Sequence, residues 1–242
     1  MDTYDLLQHK IKGKAIRVLK KDCLDLPPLI RQTITCGLSK EQAKAYREMY
    51  NDYITWIDSK KDGPQAVVAQ LAITKALRLQ QIVTGFVKAE DGTNHRFPCP
   101  RLAVLEELLT DINPTAKIII WATFKENYKQ IAEICAKVGR TYVELHGEIS
   151  HKDRETNLTA FRGDPNVTVM IANQGAGGVG INMVEASYAI YYSKGFKLED
   201  DLQSEARNYP GGSEVHDKVT SIDIVAAGTI DEIITDALHS KQ

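Results

Sequence analysis

Val167-Thr-Val-Met-Ile171 and Tyr188-Ala-Ile-Tyr-Tyr192 are short apolar runs, and a glycine-rich loop, Gly175-Ala-Gly-Gly-Val-Gly180, lies between them. Both runs are rich in β-branched and aromatic residues, which indicates two buried strands. Glycines let the backbone turn sharply, and such a loop after a buried strand can offer amide donors to a phosphate. An ordinary tight turn remains the alternative, because the loop matches neither the P-loop nor the complete dinucleotide-binding pattern.

Strands and helices alternate with short connections on both sides of this stretch. Strands are predicted at 30–36, 117–122, 141–145, 167–171, 187–192 and 218–225. Helices are predicted at 100–109, 125–138, 150–161, 198–207 and 229–238. This alternation favours an α/β fold, in which a parallel sheet carries helices on both faces.

A helical addition precedes the alternating region. Ser39-Lys-Glu-Gln42 is a capping box that begins a helix. A second helix begins near Pro64 and ends near Val83, and a hairpin follows that turns at Asp91-Gly92. We divide the chain into a connector with the first strand, this helical addition with its hairpin, and the α/β lobe, at 1–38, 39–99 and 100–242.

Composition excludes several classes of protein. The net charge of −2 and the pI of about 6.3 do not by themselves indicate a nucleic-acid binder. The four cysteines form no Cys-x-x-Cys pair and the six histidines form no His-Glu-x-x-His motif, so we expect reduced thiols and no metal site. No apolar run has the length of a membrane span, and the first residues do not resemble a signal peptide. We expect a cytoplasmic protein.

The downstream residues carry a family resemblance. The string from Ala176 through Tyr192-Ser-Lys-Gly-Phe196 to Arg207 resembles motifs V and VI of the Swi/Snf-related ATPases, which are double-stranded DNA translocases of helicase superfamily two. The last motif of that family reads Q-A-x-x-R-x-x-R-x-G-Q. Here its first arginine is Arg207, and its second arginine position holds Pro210. The resemblance implies a RecA-like second lobe, of bacterial or phage type.

The resemblance implies one set of residues that contact the DNA backbone. The segment 118–124 resembles motif IV, and Leu145-His-Gly147 resembles a further family block. A lone histidine is more often structural, so that alternative stays open for His146. The implied DNA contacts are Thr123, Lys125, His146, Gln174 and Gly175.

A second set faces ATP. Gly180 and Asn182 fall on the nucleotide side of related lobes, and Gln203 and Arg207 lie one helical turn apart. Arg207 is the implied arginine finger, which neutralises charge on the γ-phosphate. Proline has no guanidinium and ends a helix, so Pro210 either disables ATP turnover or marks a motif in which Arg207 alone completes the site.

The chain contains neither a Walker A lysine loop nor a D-E-x-H box, both of which belong to the first lobe of such motors. We therefore expect half of an active site. ATP and Mg²⁺ would be used only by the full motor, with the Mg²⁺ ligands on the first lobe, and this chain alone would bind no cofactor and hydrolyse no ATP. The expected partners are double-stranded DNA and the first lobe. Two alternatives remain, a catalytically inactive nucleic-acid-binding or partner-docking module, and a nucleotide-binding α/β enzyme.

Overall fold

The computed structural model describes Lys10 and residues 25–59, 65–89, 91–175 and 181–240. The strands within these ranges are β1 (Leu29–Cys36), β2 (Phe86–Lys88), β3 (Asn94–Arg96), β4 (Lys117–Trp121), β5 (Thr141–Leu145), β6 (Val167–Ala172), β7 (Ala186–Tyr191) and β8 (Val219–Ala226). The helices are α1 (Lys40–Ser59), α2 (Gln65–Val83), α3 (Pro100–Asp111), α4 (Lys125–Lys137), α5 (His151–Gly163), α6 (Leu198–Asn208) and α7 (Ile230–His239).

Six strands form one parallel sheet in the order β1-β8-β7-β4-β6-β5. The connector strand β1 completes this sheet, since it pairs with β8 from Leu29 opposite Val219 to Cys36 opposite Ala226. Strands β2 and β3 form the separate antiparallel hairpin that the sequence predicts. The predicted α/β architecture is therefore confirmed, with element bounds that differ by a few residues.

Alternate residues of the central strands face two separate cores. Ile118 and Ile120 of β4 pack in a core that includes residues of α2, α3, α4 and α7. Ile119 and Trp121 face the other side, where Phe161 of α5 covers them. This period of two in a fully buried strand is what a sheet with helices on both faces requires.

The predicted capping box at the start of α1 is confirmed by two reciprocal hydrogen bonds. The backbone N–H of Gln42 donates to Ser39 Oγ, and the backbone N–H of Ser39 donates to Gln42 Oε1, both at 3.1 Å. At α7 the geometry differs from the predicted box. Thr229 Oγ1 accepts from the Asp231 amide, and the carboxylate of Glu232 accepts from the amide of Gly228 rather than from that of Thr229.

Replacing Ser39 with alanine is expected to lower the free energy of unfolding by about 1 kcal/mol, because the Gln42 amide loses its acceptor. Urea unfolding followed by circular dichroism measures this difference. Ser39→Thr is the matched control, since it keeps the hydroxyl. Equal stability of the alanine and threonine variants would contradict the prediction.

Three thiols, those of Cys36, Cys99 and Cys135, are free, and Cys23 lies outside the described residues. Within the described ranges, no three His, Cys, Asp or Glu side chains come together as a possible metal site. In the same ranges, no helix is long and apolar enough to cross a membrane.

The parallel arrangement brings the carboxyl ends of the strands to one edge of the sheet. Thr123 follows β4, His146 follows β5, Asn173 follows β6, and Ser193 follows β7. Ligands of open α/β sheets bind at this edge. Thr123 and His146, two of the predicted site residues, therefore lie at the same edge of the sheet, although they come from distant parts of the sequence.

Candidate functional site

The turns after β4, β6 and β7 are tied together by hydrogen bonds. The Thr123 amide donates to Ser193 Oγ at 2.9 Å. Asn173 Nδ2 donates to the hydroxyl of Tyr128 at 3.0 Å, and Asn173 Oδ1 accepts from the Gly175 amide at 2.9 Å. These bonds fix the backbone of Asn173 to Gly175 against the turns after β4 and β7.

Lys125 is the first residue of α4 and its side chain is 72% exposed. Its ammonium pairs with the carboxylate of Glu148, and a hydrogen bond from Lys125 lowers the pKa of that carboxyl group. An exposed ion pair of this kind contributes little to stability and can exchange its carboxylate for a phosphate. The predicted contact of Lys125 with the DNA backbone stays a prediction.

His146 is buried. Its ring stacks on Tyr128, with centroids 4.5 Å apart, and its Nε2 lies 3.2 Å from Glu144 Oε2. Its Nδ1 has no hydrogen-bond partner among the described residues. The ring is therefore packed inside the lobe against Tyr128, and the predicted contact of His146 with DNA stays a prediction.

Gln174 is 5% exposed, and its side-chain amide is used inside the lobe. Gln174 Nε2 donates to Asp201 Oδ1 and to Ser204 Oγ, both at 3.2 Å. Gln174 Oε1 accepts from the Gly195 amide at 3.2 Å. The side chain therefore links the glycine-loop turn to α6, while the predicted contact of Gln174 with a phosphate stays a prediction.

Arg207 and Gln203 lie on the same side of α6, as their spacing predicts. Arg207 Nη2 is 3.5 Å from Gln203 Oε1, and Gln203 Nε2 donates to Glu199 Oε1 at 3.1 Å. Arg207 Nη1 donates to the Gln174 carbonyl at 3.2 Å. Burial lowers the pKa of Arg207, and nearby Asp200 opposes this shift. Two acceptors thus hold the guanidinium in place against the turn after β6.

The nucleotide-side predictions for the glycine loop are only partly described. Gly180 lies outside the described residues. Asn182 is exposed, and its carbonyl accepts from Arg162 Nη2 at 2.9 Å. The next residue, Met183, donates its amide to the Arg207 carbonyl at 3.1 Å, so the end of the loop is held against α6.

Helix α6 ends at Asn208, two residues before Pro210, as the sequence predicts for a helix that meets proline. Pro210 is buried, and its carbonyl accepts from the amide and the hydroxyl of Ser213, at 3.3 and 2.8 Å. Gly212 has a φ of 105°, which favours glycine. The altered end of the motif is thus an ordered turn.

Three buried charged residues that the sequence did not predict, Lys194, Asp201 and Asp223, lie close to Gln174 and α6. Lys194 Nζ is 3.3 Å from Asp201 Oδ1 and 3.0 Å from Asp223 Oδ2. Burial raises the pKa of Asp223, and Lys194 opposes the shift. The sequence signal available was a lysine three residues after the end of a buried strand, but its partners come from α6 and β8 and cannot be predicted from spacing.

Residues 100–209 match the family model described as helicase conserved C-terminal domain. Among curated relatives, the chain is 27% identical over 248 residues to the putative ATP-dependent helicase/translocase YwqA of Bacillus subtilis and 25% identical over 199 residues to the ATP-dependent helicase fft2 of Schizosaccharomyces pombe. These alignments cover 98% and 81% of this chain, but only 26% and 15% of the relatives. The chain thus spans about a quarter or less of their length.

Solved structures share the fold. The Sulfolobus solfataricus SWI2/SNF2 ATPase core in complex with dsDNA has a TM-score of 0.71 at 24% identity, covering 98% of this chain and 50% of that one. The C-terminal part of the Fun30 ATPase domain has a TM-score of 0.70 at 18% identity, covering 88% and 90%. Residues 100–209 are therefore similar to the helicase conserved C-terminal domain, and the chain has a RecA-like fold that matches the C-terminal domain structures of SWI2/SNF2 ATPases.

Proposed function

We propose that this chain is the second lobe of a DNA-dependent ATPase that moves along double-stranded DNA. It contacts the DNA backbone with the carboxyl edge of its sheet and supplies Arg207 to ATP bound on a first lobe. The proposal has a DNA side, the carboxyl edge of the sheet, and an ATP side, which includes Arg207. The observation that carries it is the direct hydrogen bond between these two sides, from Arg207 Nη1 to the Gln174 carbonyl at 3.2 Å. A shift of the turn after β6 would move the guanidinium with it.

On the DNA side, Lys125 supplies a charge that reaches solvent, and Thr123 and Gly175 belong to the ordered turns beside it. The amino-terminal end of α4 adds a favourable field for a phosphate. Gln174 and His146 act from beneath this surface, since both side chains are buried. Contacts of this kind bind the backbone and carry little sequence information, so we expect weak sequence preference.

On the ATP side, Arg207 stabilises charge on the γ-phosphate, with Gln203, Asn182 and Gly180 beside the nucleotide. Mg²⁺ would be held by residues of the first lobe, in the same or another chain. Arg207 is ordered by Gln174 and Gln203 before ATP arrives, and such preorganisation is what makes a charge effective in catalysis. By itself this lobe is expected to show negligible ATP turnover.

An alternative is a catalytically inactive module that binds nucleic acid or docks a partner. The observation that favours it is Pro210, which stands at the second arginine position in an ordered, buried turn. A lobe that binds nucleic acid acts where DNA is present. We propose the cytoplasm or nucleoid of a bacterium, or the host cytoplasm for a phage protein.

Binding of a fluorescent DNA duplex across a salt series tests the DNA side. Affinity is expected to fall steeply with salt, and Lys125→Met is expected to reduce the slope of log K against log salt by about one, because one phosphate contact is lost. Gln174→Ala is expected to weaken binding without changing the slope, since the side-chain amide is buried, uncharged and bonded to Asp201 and Ser204.

Lys218→Met is the matched control, because it removes the same charge from an exposed residue. Lys218 lies just before the first residue of β8, at the opposite edge of the sheet from Lys125. Equal losses from the two lysine variants would show that binding follows net charge alone. Absence of duplex binding at low salt would reject the DNA side of the proposal.

A further inference from the structure

Lys194 is a lysine buried between two carboxylates in the connection from β7 to α6. Its side chain is 10% exposed, and those of Asp201 and Asp223 are 5% and 10% exposed. Nζ also lies 4.3 Å from the centroid of the Tyr191 ring. A buried charge is expensive unless it is paired, and this ammonium is paired twice. These ion pairs are buried, so they differ from the exposed pairs that contribute little to stability.

The first carboxylate partner closes a ring of contacts. Asp201 Oδ1 lies 3.3 Å from Lys194 Nζ and accepts from Gln174 Nε2 at 3.2 Å. Gln174 Oε1 in turn accepts from the amide of Gly195, the residue next to Lys194, at 3.2 Å. The connection, the turn after β6 and the first turn of α6 are thus joined in one closed set of polar contacts.

This ring of contacts is bonded to the proposed site at two points. Ser193, which precedes Lys194, accepts from the Thr123 amide at 2.9 Å on the proposed DNA side. Arg207 donates to the carbonyl of Gln174 on the proposed ATP side. The second carboxylate partner, Asp223, fixes the ammonium to β8, the strand between β1 and β7.

The space beside the ammonium is too small for a substrate. A cavity of about 60 Å³ adjoins Lys194, and its wall includes Asp201, Asp223, His239 and the Arg31–Glu205 ion pair. This volume accommodates water at most. The charges therefore serve each other and not a bound ligand.

We infer that Lys194 is a positioning residue that holds α6 in register with the turn after β6, and so couples the DNA side of the lobe to Arg207. The inference rests on the proposed function, which assigns one side of the lobe to DNA and the other to ATP. The ammonium contacts neither DNA nor ATP, because it is buried among Tyr191, Asp201 and Asp223. Its effect is to keep Gln174 and the start of α6 at one fixed separation.

Three variants of this chain test the inference. Lys194→Met removes the ammonium and keeps the stem. The double variant Lys194→Met/Asp223→Asn removes one positive and one negative charge, so the buried net charge is that of the starting protein while the link to Asp201 stays broken. Lys197→Met is the matched control, since Lys197 lies three residues away and is exposed.

Two readouts are used, hydrogen exchange of the α6 amides without DNA and duplex affinity across salt. We expect α6 amides to exchange about tenfold faster or more in both Lys194 variants, with β4 and α4 unchanged, because only the local anchor of the helix is lost. We expect duplex affinity to fall about fivefold with an unchanged salt slope. Lys197→Met should leave exchange unchanged.

Exchange in the double variant equal to that of the starting protein would overturn the inference, because Lys194 would then be only a counter-ion. Faster exchange across the whole sheet, or failure of the double variant to fold, would also overturn it, because the lysine would then stabilise the entire lobe. If no protein binds duplex, the proposed function fails, and the exchange data still decide whether Lys194 positions α6.

Discussion

Replacing Arg207 with alanine is expected to lower ATP turnover by about 10³-fold or more when this lobe is joined to a first lobe that carries the phosphate-binding motifs. The physical reason is the loss of a guanidinium that two acceptors already hold in place, so that the transition state loses a preorganised charge. Phosphate release at saturating duplex and saturating ATP measures the effect.

Arg47→Ala is the matched control, because Arg47 is exposed on α1, away from α6. Turnover of Arg207→Ala within a few-fold of the starting motor would remove the arginine-finger role. In the same assay Pro210→Arg separates the two accounts of the altered motif. A large gain would identify Pro210 as a lesion, and unchanged turnover would show that Arg207 alone completes the site.

Replacing Arg101 with methionine is expected to lower the free energy of unfolding by about 3–5 kcal/mol, the usual cost of breaking a buried ion pair. Arg101 is 1% exposed, its guanidinium pairs with Asp231, and it donates to the Ile224 carbonyl at 2.7 Å and to the Tyr192 carbonyl. The substitution leaves Asp231 buried without its cation. Urea unfolding with linear extrapolation measures the difference.

Arg31→Met is the control for Arg101, since Arg31 also pairs with a carboxylate, Glu205 at 2.7 Å, but its side chain is 55% exposed. A change within about 1 kcal/mol is expected there. Similar losses from Arg31→Met and Arg101→Met would show that burial does not determine the cost of losing either pair.

The fold could be predicted because its central strands β4, β6 and β7 are largely apolar and buried, and because its helices carry local start and stop signals. Every residue of β6 is buried, and a continuous apolar run of this length predicts a buried strand. Ser150 caps α5 through the Asp153 amide, and Gly139 after α4 has a φ of 75°. Such signals depend on neighbours in sequence, so a single sequence suffices to recognise them.

The candidate site could be predicted only where its contacts are local. The pairing of Gln203 with Arg207 follows from helical spacing. The contacts of Gln174, Lys194 and Asp223 join separate elements, so no spacing rule predicts them. Arg101, at the start of α3, would be expected at the surface from its local sequence, yet it is buried because Asp231 of α7 meets it there.

The pairing of β1 with β8 sets the order in which this lobe can be completed during synthesis. Leu29 and Val219, about 190 positions apart, are neighbours in the sheet, so the ladder closes one of the longest loops available to the chain. Until β8 has been made, the polar backbone groups of β1 and one side of β7 have no strand beside them. A nascent chain therefore carries β1 without its partner strand until β8 is made, and an unpaired edge of β7 between residues 191 and 219. Truncation at the bounds of the family match, 100–209, would make the edge of β7 permanent and invite aggregation.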